Sequence, residues 1–170
     1  VAEVIGIGHQ RSRGIKSGVV VDIAAAEQSI RACVDTAERQ AGLTIESLIV
    51  SVTAGRLKSL RGKAELTVAG AEVSPADLRR VLNQAARTQM SQGRVALHSV
   101  PFDLSLDGEG GLDDPIGMMG EMLGAELHVL TAEETPLRNL EAAINRAHLV
   151  VEAFVAAPYA SGLATLVEDE

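Results

Sequence analysis

The sequence predicts an α/β (α+β) chain whose middle region reads strand, helix, strand, strand between α/β flanks. Three observations predict it. Apolar residues alternate in several short runs, the period of a strand, and recur at spacings of three and four in longer runs, the period of a helix. The two kinds of run interleave along the chain. The middle third reads strand, helix, strand, strand, and its flanks read differently.

The chain has 170 residues, 46% of them hydrophobic, enough to fill a core. Aromatic residues are only 2% and Trp is absent, so that core is aliphatic. Fifteen basic and 23 acidic residues give a net charge of -8. Such a surface repels phosphate backbones and anionic membranes, and it suits a basic partner. The single Cys33 forms no internal disulfide, and no apolar run reaches the ~20 residues of a membrane span. These features predict a cytoplasmic protein. Val1 opens inside an apolar pattern without an initiator Met, and Glu168-Asp169-Glu170 closes directly on a helical stretch. This predicts an internal piece of a longer chain.

Val1 to Gly8, with β-branched Val4, Ile5 and Ile7, predicts a strand. His9 to Gly18 follows as a loop. Asp22 caps a helix whose face carries Ile23, Ala26, Ile30, Cys33, Val34, Ala37 and Ala41, and Gly42 ends it. Leu48 to Val52 is a buried strand. A different region begins near Gly55. Ala64, Leu66 and Val68 alternate as a half-exposed strand. Ser74-Pro75-Ala76-Asp77 starts a helix over 75–90 with a capping Ser, Pro at the first position and an acid at the third. Its buried stripe is Leu78, Val81, Leu82, Ala85 and Ala86. Val95, Leu97 and Ser99 alternate, then Phe102, Leu104 and Leu106 on shifted parity, with Pro101 at a bulge or bend. A Gly- and Asp-rich loop spans Asp107 to Gly120, and Glu126 to Thr131 is a strand. Thr135-Pro136 caps a helix with Leu137, Leu140, Ala143, Ile144 and Ala147 on one face. Val150 to Ala156 is a strand that Pro158 breaks, and Ala160 to Leu166 is helical.

No catalytic or metal motif survives inspection. Gly6, Gly8 and Gly14 lack dinucleotide spacing, because Arg11 stands where the third Gly belongs, and Ile15 precedes Lys16-Ser17 where a phosphate loop needs Gly. Asp103-x-Ser105-x-Asp107-Gly108, with Asp114 at the twelfth place, resembles a calcium loop. It has Asp where the bidentate Glu belongs, Gly110 at an apolar position, and a strand where the entering helix should be. These carboxylates read instead as a solvated acidic loop. His9, His98, His128 and His148 form no helical pair and lie far from Cys33 in sequence, so no zinc spacing exists. His98 and His128 fall on predicted strands, where the sheet can bring them together. Cys33 reads as a small buried hydrophobe. No Gly-x-Ser-x-Gly elbow is present.

The order of short matches nevertheless carries a resemblance. Ile5-Gly6-Ile7-Gly8, Ser12-Arg13-Gly14, Gly18 and Asp22 come first, then Ala37-Glu38 and Gly55. Arg94-Val95, Leu97-His98, Pro101, Pro115-x-Gly117, His128-Val129-Leu130-Thr131, the Asn139–Arg146 helix, Ala160-Ser161 and Glu168-Asp169-Glu170 follow. Together they resemble the FtsA family of bacterial cell-division proteins, over essentially the whole chain. The resemblance implies a partial actin-like (ribonuclease H-like) subdomain 1A at 1–54 and 132–170. It implies an inserted SHS2-type subdomain 1C at 55–131. It implies a scaffold that links the FtsZ ring to the membrane and recruits later division proteins. Expected partners are neighbouring FtsA protomers and the basic cytoplasmic tail of FtsN, with FtsZ reached only through regions outside this chain. ATP and Mg belong to the full-length family, whose phosphate loops lie outside this sequence, so no cofactor, catalysis or direct membrane contact is expected here. The full-length relatives work on the cytoplasmic face of the inner membrane. Asp103, Asp107, Glu109, Asp113 and Asp114 are the candidate contact residues for a basic tail. Two other classes stay open: a nucleotide-dependent enzyme of the actin, sugar-kinase and heat-shock group, and a small-ligand module. A deep apolar pocket between helix 75–90 and the sheet would mark the latter.

Overall fold

Asp22 and Ser74, the two strongest caps in the sequence, each open a long helix in the computed structural model, which describes residues 3–88 and 90–166. The chain divides into two units, Val1–Arg56 with Glu133–Glu170, and Leu57–Ala132.

In the first unit β1 (Ile15–Lys16) and β2 (Val19–Val20) form a hairpin whose first strand and turn fall in the segment expected to be a loop. Ser17 and Gly18 both have positive φ, 49° and 77°, the primed turn that matches strand twist. Helix α1 (Ile23–Ala41) starts where the Asp22 carboxylate accepts the amides of Ala24 and Ala25. It ends at Gly42, left-handed, whose N–H reaches Glu38 O at 2.8 Å. Strand β3 (Ser47–Val52) pairs in parallel with β7 (Val150–Ala156). A parallel pair needs a crossover, and α3 (Glu134–Arg146) precedes β7 to provide it. Its apolar face, Leu137, Leu140, Ala143 and Ile144, is buried as the sequence requires. Helix α4 (Ala157–Thr165) follows with Pro158 inside its first turn, where a missing N–H costs no helix bond. The same holds at α3: Thr135 and Pro136 lie inside the first turn rather than capping it, and Glu133 is the cap residue without a side-chain bond.

The predicted strand at Val1 to Gly8 does not form. Val1 and Ala2 lie outside the described residues, and from residue 3 to residue 13 the chain has no strand pairing. Val4, Ile5 and Ile7 are exposed. β-Branched side chains favour extended backbone, but a strand also needs a neighbour for its ladder, and this segment runs over α1 instead. Ile7 N–H donates to Gln40 Oε1 at 3.0 Å. A Cβ on Gly8 would stand 2.0 Å from Cys33 O, so only glycine permits this approach. Cys33 itself is half-buried on α1 rather than fully buried, because only a strip of extended chain passes over it.

The second unit contains β4 (Lys58–Thr67), α2 (Pro75–Arg87), β5 (Arg94–Leu106) and β6 (Met122–Glu133, whose last residue falls in the first unit). The sheet order is β4-β6-β5, with β4 and β6 antiparallel in unbroken register from Lys58↔Thr131 to Thr67↔Met122. Alternation decides the faces: Ala64 of β4 and Val68 just after it, Leu123, Ala125, Leu127 and Val129 of β6, and Leu104 and Leu106 of β5 all enter one core, which Val73, Val81 and Ala85 complete. Strand β5 continues through Pro101 without a break. At the base, Arg94 donates from Nε to Thr131 Oγ1 at 3.0 Å and from its Nη2 to Thr131 O at 2.9 Å, which satisfies a fully buried threonine.

Ser74 and Asp77 form a reciprocal capping box at the start of α2. Ser74 Oγ and N–H both bond the Asp77 carboxylate, at 2.5 and 3.2 Å, and hold its pKa below the ordinary 3.8, with Arg80 adding a smaller pull. A carboxyl whose folded pKa is depressed stabilises above its unfolded pKa and loses that contribution as pH falls through the folded value. Stability of this unit is therefore expected to drop as pH falls below about 3.8, and Asp77→Asn to flatten part of that drop. Urea midpoints of both proteins between pH 5 and 2.5 check this, and parallel pH curves would contradict it.

Candidate functional site

The five carboxylates singled out in the sequence all lie on β5 or in the loop that joins it to β6, but they do not act alike. Asp103 is half-buried, and its Oδ1 accepts Gly111 N–H at 2.7 Å. Asp107, left-handed at φ 52°, turns its Oδ1 onto the amides of Glu121 and Met122 at 2.9 and 2.8 Å. Asp114 Oδ1 accepts Ile116 N–H at 3.0 Å, a local Asx turn. These three carboxylates fasten the loop. Glu109 and Asp113 are exposed, and their side chains make no hydrogen bond or ion pair within the described residues. They are the two free charges of the set.

The loop is also tied to the β4–α2 connection. Val68 N–H reaches Glu121 O at 2.8 Å, Gly70 N–H reaches Gly120 O at 2.9 Å, and Val73 N–H reaches Met118 O at 2.9 Å. An isolated antiparallel bridge joins Glu72 to Met119. One end of the unit is thus an ordered surface made from two connections.

Sequence reasoning missed the apolar part of that surface. Ile116, Met118, Met119 and Met122 are exposed, by 42, 41, 71 and 38%. The signal was available: three of the four methionines in the chain fall between 118 and 122. Charge around them is one-sided. From Asp103 to Leu127 the sequence has seven carboxylates and no Lys, Arg or His, and from Val68 to Leu78 it has Glu72 and Asp77 and again no base. Lys63 on β4 reaches in, bonding Glu126 at 3.1 Å, which raises its pKa.

The other candidates lie on several elements, with His98 and His128 on the neighbouring strands β5 and β6. His128 Nε2 lies 2.5 Å from Ser59 Oγ on the neighbouring strand, His98 is half-buried on β5, His9 is in the segment over α1, and His148 follows α3 with φ 65°. Among the described residues no three His, Cys, Asp or Glu side chains gather as a metal site requires. No described helix is long and apolar enough to cross a membrane. The space between α2 and the sheet is filled. A Cβ on Gly62 would stand 2.2 Å from Ala85 O, which leaves no room for a ligand there.

These features define a mixed α/β chain in which an SHS2 module is inserted into part of an actin-like fold. A family described as "SHS2 domain inserted in FTSA" matches residues 54–131. Over 168 residues the chain is 58% identical to "Cell division protein FtsA" of Agrobacterium fabrum, covering 99% of this chain and 38% of that protein. The protein of the same name from Pseudomonas aeruginosa is 36% identical, with 99 and 40% covered, and that from Bacillus subtilis 30% identical, with 98 and 38% covered. In fold the chain is similar to a solved structure of a "PilM-PilN type IV pilus biogenesis complex", with TM-score 0.52 and 15% identity over 88% of this chain and 39% of that one. The chain belongs to the FtsA family of cell-division proteins. It spans well under half the length of the relatives it matches.

Proposed function

We propose that this chain is part of a division scaffold that works through protein contacts and performs no catalysis of its own. In this reading residues 55–131 are subdomain 1C, and residues 1–54 with 132–170 belong to subdomain 1A. The insert contacts neighbouring protomers and receives later division proteins at the FtsZ ring, on the cytoplasmic face of the inner membrane. ATP and Mg are bound by the full-length family, not by these residues alone, and FtsZ is met through regions outside them. The observation that carries the reading is the filled interior of the insert: Val73, Val81, Leu123, Leu127 and Val129 close it, so its surface is what remains to recognise a partner. That argues against the small-ligand alternative.

The basic FtsN tail is the partner whose charge fits the acidic loop. Glu109 and Asp113 are the acids to test, because neutralising Asp103, Asp107 or Asp114 would also unfasten the loop. Glu109→Gln with Asp113→Asn is expected to weaken tail binding about threefold to tenfold at low salt, with the difference shrinking at ~0.15 M. Fluorescence anisotropy of a labelled tail measures it. Equal affinities at every salt would reduce the acids to a role in solubility.

A further inference from the structure

The surface at the β5–β6 end of the insert holds apolar side chains that neither unit's core uses, inside a rim of one charge. Ile116, Met118, Met119 and Met122 are all at least 38% exposed. Their positions are not those of a floppy loop. Asp114 anchors Ile116, Asp107 anchors Met122, the main chain of Val73 holds Met118, and Glu72 bridges Met119. An ordered backbone therefore presents adaptable side chains. Methionine is unbranched and polarisable, so a group of them fits apolar residues of varied shape without a preformed pocket.

Charge decides the kind of partner. Glu72, Asp107, Asp114 and Glu121 are bonded to, or adjacent to, the apolar residues, and no base occurs in either contributing segment. An anionic membrane is repelled by such a rim, and so is a nucleic acid. A peptide with apolar anchors flanked by Lys or Arg satisfies both parts at once.

We propose that Met118, Met119, Met122 and Ile116 form the apolar anchor site for a cationic amphipathic segment of a partner protein, and that the surrounding acids steer it there. This rests on the recruitment reading above and adds a residue-level site to it: the acids supply approach and salt dependence, and the methionines supply the anchoring contact and residence time.

The chain has four methionines, so ε-methyl 13C labelling gives four resonances with an internal control. Met90 lies beyond the C-terminal end of α2, in the connection to β5, and is itself exposed. The probe is a synthetic Leu/Lys amphipathic peptide of about 18 residues, compared with one of equal composition whose leucines do not share a face. The expected result is saturable shifts of the Met118, Met119 and Met122 methyls with Met90 unmoved, and weaker binding by the scrambled peptide. Met118→Ser with Met119→Ser is expected to lower affinity about tenfold while leaving the salt dependence of binding in place. These side chains are exposed, and an unchanged circular dichroism spectrum would verify that the variant folds. Binding that leaves the three methyls unmoved, or that the serine variant and the scrambled peptide share undiminished, overturns the anchor site and leaves acid-driven recruitment standing. Absence of binding by either peptide and by the labelled tail overturns both.

Discussion

Gly62→Val is expected to destabilise the inserted unit by about 3 kcal/mol, the upper end of what overpacking costs. The cause is a single close approach. Gly62 sits on β4 opposite Leu127, and a Cβ there would stand 2.2 Å from Ala85 O and 2.9 Å from its carbonyl carbon. Both atoms are helix backbone, so no rotamer change relieves the clash. Helix α2 must lift from the sheet, which loosens Val81 and Ala85 together. A urea titration read by amide exchange is expected to show faster opening in β4, α2 and β6, with α1 unaffected. Exchange in α2 at the parent rate would contradict the account of this contact.

Leu127→Ala should cost a similar amount, ~3 kcal/mol, for the opposite reason. Leu127 is 1% exposed on the central strand, and its removal leaves a cavity in the cluster that also holds Val81 and Val129, on a strand whose antiparallel register holds it in place. A loss below ~1 kcal/mol would mean that the core collapses around the gap. Because Gly62 and Leu127 are cross-strand partners, the two changes are not expected to add, and a double-mutant cycle between Gly62→Ala and Leu127→Ala should return a coupling of about 0.5 kcal/mol or more.

Most of the insert was legible because each local signal agreed with the next. The Ser74 capping box, the Leu78-Val81-Leu82-Ala85 stripe and the alternation in β4 and β6 point to one helix on one sheet. The ends of elements were less legible. Strands β4 and β6 extend beyond the runs read as strands, because ladder bonding carries past the last apolar residue. The β1–β2 hairpin has strands of two residues, too short for any period, and only the Ser17-Gly18 pair signalled it. The expected strand at Val1 to Gly8 failed because propensity cannot supply a pairing partner. The acidic loop was visible as composition. That Asp103, Asp107 and Asp114 bind backbone amides while Glu109 and Asp113 stay free was not, since the division depends on how the loop folds to bring the amides of Gly111, Ile116, Glu121 and Met122 to those carboxylates. The methionines between 118 and 122 were readable in sequence, but only exposure separates an anchor surface from a core.

The most direct test of the central claim, that the surface of this chain recognises a basic partner, is anisotropy of a labelled FtsN cytoplasmic tail titrated with the 170-residue chain at low and moderate salt. The account predicts saturable binding that weakens as salt rises. A folded chain that leaves the anisotropy unchanged at low salt would contradict it.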